Sequence, residues 1–424
     1  MNSFKRSHPG LAGLITIILA ILLVFAYASS ASFAFADSED PATDEAAAET
    51  SEEATGEAVG ETAEGTDEEA AEEEVPRTYP KLLYKPVSKT YVYNSLTGEW
   101  GFDPSKVIGT RVVGVVVENH PAARPQWGMD DKNCPPDIIL EGEVEGGISR
   151  MLWLWADYNK MPYFVGPVRS ARPPFVRFSE LFDAMFIHWG MSESEGYYTG
   201  ADYYFYADGV DHLDGMYYES SGPFGRNWDS GRAAEHLAIV YGGILPEYLE
   251  SYFDTARDPS LTTELKFYKT KEVRGAKASC QDIFVQFSNI SKSTEWMYDK
   301  ASQKYYTYDF ETNVTRDNIL ILMDTTFYVT KVSTTYCNYD LGGGDAYLAS
   351  CGAVQNIKWS VENGKLRLYD PNTGEDVPLN PGTTYIGWAS SNYGGYCYIT
   401  PGEPEPDPVP SPYSRTCNRY PAFK

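Results

Sequence analysis

Cysteine is scarce in this chain, histidine scarcer, and the signatures of several common enzyme classes are missing. Six cysteines among 424 residues include no CxxC pair, which removes zinc-ribbon and thioredoxin-like readings. No HExxH, GxSxG, P-loop or glycine-rich dinucleotide motif occurs. Metalloprotease, esterase, nucleotide-hydrolysing and nicotinamide-dependent readings therefore have nothing to stand on. Positive charge is also short, with 34 Lys and Arg against 60 Asp and Glu and a net charge of −26. A chain of that balance is expected to have no nucleic-acid partner.

The acidity is concentrated. Between Asp37 and Pro76 there are seventeen Asp or Glu, no Lys or Arg, and almost nothing apolar. Such a stretch cannot offset its ordering entropy, so residues 37–76 are expected to be a disordered acidic linker. Before it, Lys5 and Arg6 lead into an uncharged run from Leu11 to Ala36 that closes on Ala34-Phe35-Ala36. Residues 1–36 are expected to be a signal peptide, or a retained membrane anchor if uncut. Either way the rest lies outside the cytoplasm, and membrane contact is expected only through an uncleaved N-terminal segment. Residues 401–424 form a Pro-rich tail, and its Pro- and Glu-rich part, Pro401–Pro412, is expected to be disordered.

The remainder is long enough for two cores. In residues 77–272, apolar strands are expected at Val112–Val117, Asp137–Leu140, Met151–Trp155 and Ala184–His188. Helical spacing occurs at Val176–Phe182, Ala233–Val240 and Pro246–Phe253. This alternation predicts an α/β N-terminal domain with a mixed sheet. In residues 273–400 the segments 283–287, 305–308, 319–322, 357–359 and 365–369 read as short strands around Asn-Gly and Asn-Thr-Gly turns, predicting a mainly β C-terminal domain. Cys337 and Cys351 are a plausible disulfide across a β connection in an exported protein.

Arginine points to the first of these halves. Eight Arg and two Lys fall between Thr110 and Val240, whereas two Arg and seven Lys fall between Gly275 and Thr400. Solubility does not call for arginine, but planar two-pronged recognition of phosphate or carboxylate does. Arg169 and Arg172 sit in Val165-Gly166-Pro167-Val168-Arg169-Ser170-Ala171-Arg172-Pro173-Pro174, stiffened by proline at both ends. This stretch binds an anion, or its arginines pair with acids of the same chain. Arg124 and Arg150 extend the candidate clamp. Asn119 with His120, and His188, lie at the ends of apolar strands, where α/β folds place their sites. Glu141, Glu143 and Glu145 alternate and would share one face of a strand. They are candidate metal ligands, so a divalent cation is a candidate cofactor; Glu145 is also a candidate ligand contact.

The blocks VENHPAARPQWG, EVEGGISR, VGPVRSARP, FDAMFIHWG and RAAEHL, followed by KWSVENGKLRLYDPNTGEDVPLNPGTTYIGW, resemble the YerB-like lipoprotein family, a bacterial family of unknown function. The resemblance covers about Arg111 to Trp388 and implies an exported two-part protein with no assigned activity. The family's lipid-anchoring cysteine has no counterpart, since no cysteine precedes Cys134. The expectation is a secreted or envelope-associated protein that is not lipid-anchored. Ser192-Glu193 and Glu235 also depart from the family pattern. Three functions follow: binding of an anionic envelope polymer or lipid-linked phosphate precursor through the arginines; a phosphotransferase or hydrolase resembling the LytR-CpsA-Psr enzymes; or a structural, partner-binding envelope protein whose 33 Tyr and 9 Trp serve as contacts.

Overall fold

Among the described residues, the apolar runs of the first half become strands buried on both faces. The computed structural model describes residues 92–101, 110–219, 222–273 and 278–402. The leader, the acidic linker and the tail beyond residue 402 lie outside the described residues. Five strands of the first half enter the main sheet: β1 (Val113–Glu118), β2 (Ile138–Glu143), β3 (Ser149–Trp155), β4 (Met185–His188) and β5 (His212–Asp214). The second half adds β6 (Asp282–Gln286), β7 (Ser293–Asp299), β8 (Lys304–Thr307), β9 (Val314–Arg316), β10 (Asn318–Asp324), β11 (Thr326–Lys331) and β12 (Thr334–Tyr339). Then come β13 (Gly344–Ser350), β14 (Ala353–Glu362), β15 (Lys365–Tyr369), β16 (Thr384–Ser390) and β17 (Tyr396–Thr400).

One 11-stranded mixed sheet takes strands from both halves, in the order Ala278–Ser279, β14, β13, β10, β16, β2, β3, β1, β4, β5, with β15 on β14. The joint is β16, which runs parallel to β10 on one side and to β2 on the other. The division expected near residue 272 is therefore not a division of the sheet. β3 runs antiparallel between β2 and β1, while β4 and β5 run parallel to β1. The carboxyl ends of β1, β2, β4 and β5 thus share one edge with the amino end of β3.

Alternate side chains send two cores to opposite faces. Val113, Val115, Val117, Met151, Trp153 and Trp155 belong to one core with Ile283, Val285 and Trp296 of the five-stranded sheet β9-β8-β7-β6-β17. Val112, Val116, Leu152 and Leu154 pack on the other side with Phe175, Val176 and Phe178 of α1 (Pro173–Glu180) and with Tyr339 and Trp388.

Helix contributes less than an α/β label implies. Beyond α1 there are α2 (Ala201–Tyr206), α3 (Gly215–Tyr218) and α4 (Leu245–Tyr252). The N-terminal region is mostly β with a mixed sheet, and the C-terminal part is β-rich. The helical spacing at 233–240 yields only a 3-10 turn, Ala234–His236, then a strand, Ala238–Val240. A neighbouring backbone decides this. Val168 N–H donates to the Ala238 carbonyl at 2.8 Å, and Val165 and Val240 exchange bonds of 2.9 and 3.0 Å. Cys337 and Cys351 are separate buried thiols, not a disulfide. Cys351 lies against Asn380 Nδ2 at 3.5 Å, while Cys337 is part of the core under α1.

Candidate functional site

The segment 165–172 lies extended between β1 and the strand Ala238–Val240. Glu118 N–H donates to Pro167 O at 2.9 Å, and Arg169 N–H to Val116 O at 3.0 Å. Gly166 permits the close approach, since a Cβ there would come within 2.5 Å of the Ala238 carbonyl oxygen. Arg172 then caps α1, whose first two residues are Pro173 and Pro174, a position that suits proline because no intrahelical N–H is needed there. Both arginines are thereby set by backbone bonded on each side.

They face different acids. Arg172 grips Glu145 with both prongs, Nε at 2.9 Å from Oε2 and Nη2 on Oε1, and lies over the Tyr336 ring at 5.4 Å. Arg150 adds a longer contact to Glu145, 3.4 Å, and donates to the Ser170 carbonyl at 2.7 Å. Burial pushes the Glu145 carboxyl up, but Arg150 and Arg172 outweigh it and bring its pKa down to about 2. Burial, and then the nearby Arg172 charge, brings Arg150 down to about 10, with Glu145 opposing. Arg169 turns to Glu118, Nε to Oε1 at 3.1 Å, and its side chain remains 33% exposed. Three guanidiniums are thus gathered against two carboxylates, and Arg169 is the one that meets solvent.

Arg124 lies beyond this group. Its Nε and Nη2 donate to the side chain and backbone oxygens of Asn119, at 3.1 and 2.9 Å. Asn119 donates in turn to Glu141 and to Ser149 Oγ, at 2.7 and 2.9 Å. Glu141 is fully buried and also accepts from Ser149 Oγ, Thr294 Oγ1 and Tyr385 OH at 2.5, 3.0 and 2.7 Å, with Lys292 Nζ 2.8 Å away. Burial acts to raise its pKa, yet Lys292 and these donors leave it lowered.

The three glutamates do not converge on a cation. Glu141 is enclosed by donors, Glu143 accepts from Tyr328 OH at 3.1 Å, and Glu145 belongs to the arginines. The strand ends at Glu143, and Gly146 and Gly147, at φ 69° and 72°, turn the chain away. A Cβ at Gly147 would lie 2.5 Å from Ile290 O, so this turn must be glycine for the second half to dock. Among the described residues no group of three or more His, Cys, Asp or Glu is placed to hold a metal.

The histidines divide. His188 is fully buried; its Nδ1 donates to the Gly190 carbonyl at 2.8 Å, its Nε2 lies 2.9 Å from His212 Nδ1, and its ring stacks on Phe205. Burial lowers its pKa to about 4. His120 remains partly exposed and stacks on His236, with ring centroids 5.2 Å apart. His236 was not among the candidates, because its segment reads as helix. In the fold its Nδ1 lies 2.9 Å from Glu118 Oε2, the carboxylate that also holds Arg169. Lys292 was also missed, since a lone lysine in a β-rich segment carries no signal of burial.

The chain matches the family described as a protein of unknown function, DUF3048. Its N-terminal domain matches residues 96–254 and its C-terminal domain residues 283–386. A curated relative from Bacillus subtilis (strain 168), "Putative lipoprotein YerB", is 30% identical over 292 residues, covering 66% of this chain and 82% of the relative. The crystal structure of the YerB protein from Bacillus subtilis superposes with a TM-score of 0.58 at 25% identity, covering 72% of this chain and 99% of that one. The relative's name implies lipid-anchored association with the envelope. It overturns the expectation that this chain is not lipid-anchored, which stood on the position of the first cysteine alone. By sequence and by fold, the chain belongs to the YerB-like family of proteins of unknown function.

Proposed function

We propose that this is an envelope protein that binds a phosphate-bearing anion, an anionic polymer or a lipid-linked phosphate precursor, at the arginine cluster. One observation carries the reading: the ion pairs of Arg150, Arg169 and Arg172 involve two carboxylates, Glu118 and Glu145, which leaves one positive charge in surplus. A half-enclosed surplus guanidinium favours an anion because screening by water is reduced there. Arg169 is the contact residue, with Arg150 behind it. Arg172 has its fork filled by Glu145 and serves to hold the carboxylate in place. The relative's name as a lipoprotein supports the envelope setting.

The test is a calorimetric titration of the full chain with inorganic pyrophosphate at low salt. Binding should weaken by about 1–3 kcal/mol in Arg169→Gln, the scale of a charge-assisted hydrogen bond, and should decline as salt rises. Absence of binding by the unaltered chain at millimolar pyrophosphate would end this reading.

A further inference from the structure

We propose that Glu118 and His236 form a proton-accepting pair for reaction at the phosphoryl group of a phosphate ester held by Arg169. This rests on the anion-binding reading of the same cluster and adds chemistry to it. Glu118 is buried, and its two oxygens hold two different groups: Oε1 is 3.1 Å from Arg169 Nε, and Oε2 is 2.9 Å from His236 Nδ1. A carboxylate can only accept, so Nδ1 carries the proton and Nε2 keeps its lone pair, the tautomer that an acid–base imidazole needs. The His236 side chain is 8% exposed. Nδ1 faces the buried Glu118, whereas Nε2 lies 3.9 Å from Glu235 Oε1, whose side chain is 59% exposed.

The turn that carries His236 is pinned by contacts from two arginines. Arg169 Nη1 donates to the Glu235 carbonyl at 3.1 Å, and Arg226 Nη1 to the Ala234 carbonyl at 2.8 Å. His120 stacks nearly parallel on the ring, at 9°. Its own Nδ1 accepts from Ala122 N–H at 3.2 Å. A purely structural Glu–His pair would not require a guanidinium on the same carboxylate and a second nitrogen turned toward the exposed Glu235. The arrangement places a cation for a phosphate oxygen beside a base for the attacking water.

The step is a hydrolysis. The water oxygen bonds to phosphorus while its proton passes to His236 Nε2. The bond from phosphorus to the ester oxygen breaks, and the imidazolium returns the proton to the departing alkoxide. The charged and titratable groups facing His236 are Glu118 from β1, Arg169 from the extended segment, His120 from the turn after β1, and Glu235 of its own turn.

Two measurements on the full chain test this. Nitrogen-15 NMR of the unaltered protein at neutral pH should show the His236 proton on Nδ1; a proton on Nε2 overturns the proposal without any variant. Release of nitrophenolate from bis(p-nitrophenyl) phosphate should fall roughly 100-fold or more in His236→Gln. Equal release by both overturns the pair. If both still bind pyrophosphate while releasing equally, the anion site stands and the pair fails; if the unaltered chain binds no pyrophosphate, the anion reading itself fails.

Discussion

Arg169 and Arg172 lie three residues apart and do different work. The spacing and the flanking prolines announce two cations on stiff backbone, and that much is legible in the sequence. Which carboxylate fills which fork is not, because Glu118 and Glu145 arrive from other strands. Arg172 is 13% exposed and two-pronged on a Glu145 that is itself 20% exposed. Replacing Arg172 with Lys keeps the charge and loses the fork. We expect a loss of roughly 1–3 kcal/mol of stability, read as a lower melting temperature, with pyrophosphate affinity little changed. A lost affinity with an unchanged melting temperature would instead make Arg172 a ligand contact. The same pair predicts a pH response. The Glu145 carboxyl is depressed from an ordinary 4.5 to about 2, so the unfolded chain binds its proton first. Its stabilising contribution is complete above about 4.5 and is lost as pH falls toward 2.

At the scale of elements, apolar runs were the reliable signal. β1, β3 and β4 lie where continuous Val, Leu, Trp and Ile stretches put them, because strands buried on both faces need no alternation. Alternation served less well for Glu141, Glu143 and Glu145. The first two sit on β2, but the strand stops at Glu143, so the third leaves its face. The burial of Glu141 depends on Lys292 and Thr294, next to or within β7, and on Tyr385 of β16, partners more than 150 residues away in sequence. Glu141→Ala strips the buried Lys292 ammonium of its carboxylate, and we expect a loss on the order of 3–5 kcal/mol in chemical denaturation. A loss below about 1 kcal/mol would mean that the pair is solvated. Where β4 and β5 pair, His188 and His212 are both lowered to about 4, burial being the main cause. Their ordinary value is 6.5, so between pH 6.5 and 4 the unfolded chain holds more protons and stability must fall with pH. His188→Asn should flatten that limb of the stability curve; an unchanged limb would assign it to other groups.

At the scale of the whole molecule, the two-part organisation visible in the sequence and the single sheet of the fold must be reconciled. Local patterns could show that the first half mixes helix and strand and that the second is mainly β, but pairing between β2 and β16 joins residues about 245 apart. No periodicity reports a partner at that distance. Its energetic consequence is direct. Without β16, β2 would present the unpaired N–H and C=O groups of Ile138–Glu143 as a sheet edge. Without the second half, the apolar core that Met151, Trp153 and Trp155 share with Ile283, Val285 and Trp296 would lose its second-half members. Each fully exposed aromatic or aliphatic side chain of that kind costs roughly 1.5–3 kcal/mol, and several together are comparable with the ~5–15 kcal/mol that holds a domain folded. Residues 77–272 expressed alone should therefore lack a cooperative thermal transition and associate at low concentration, whereas residues 77–402 should melt in one transition. Both halves are needed because the arginine site is set by this joint: Gly147 packs on Ile290 O, and Lys292 N–H donates to Gly147 O at 3.2 Å, fixing the turn that presents Glu145. A cooperative melt for 77–272, with pyrophosphate binding retained, would show that the first half carries both fold and site by itself, and the sheet would then join two bodies that do not depend on each other.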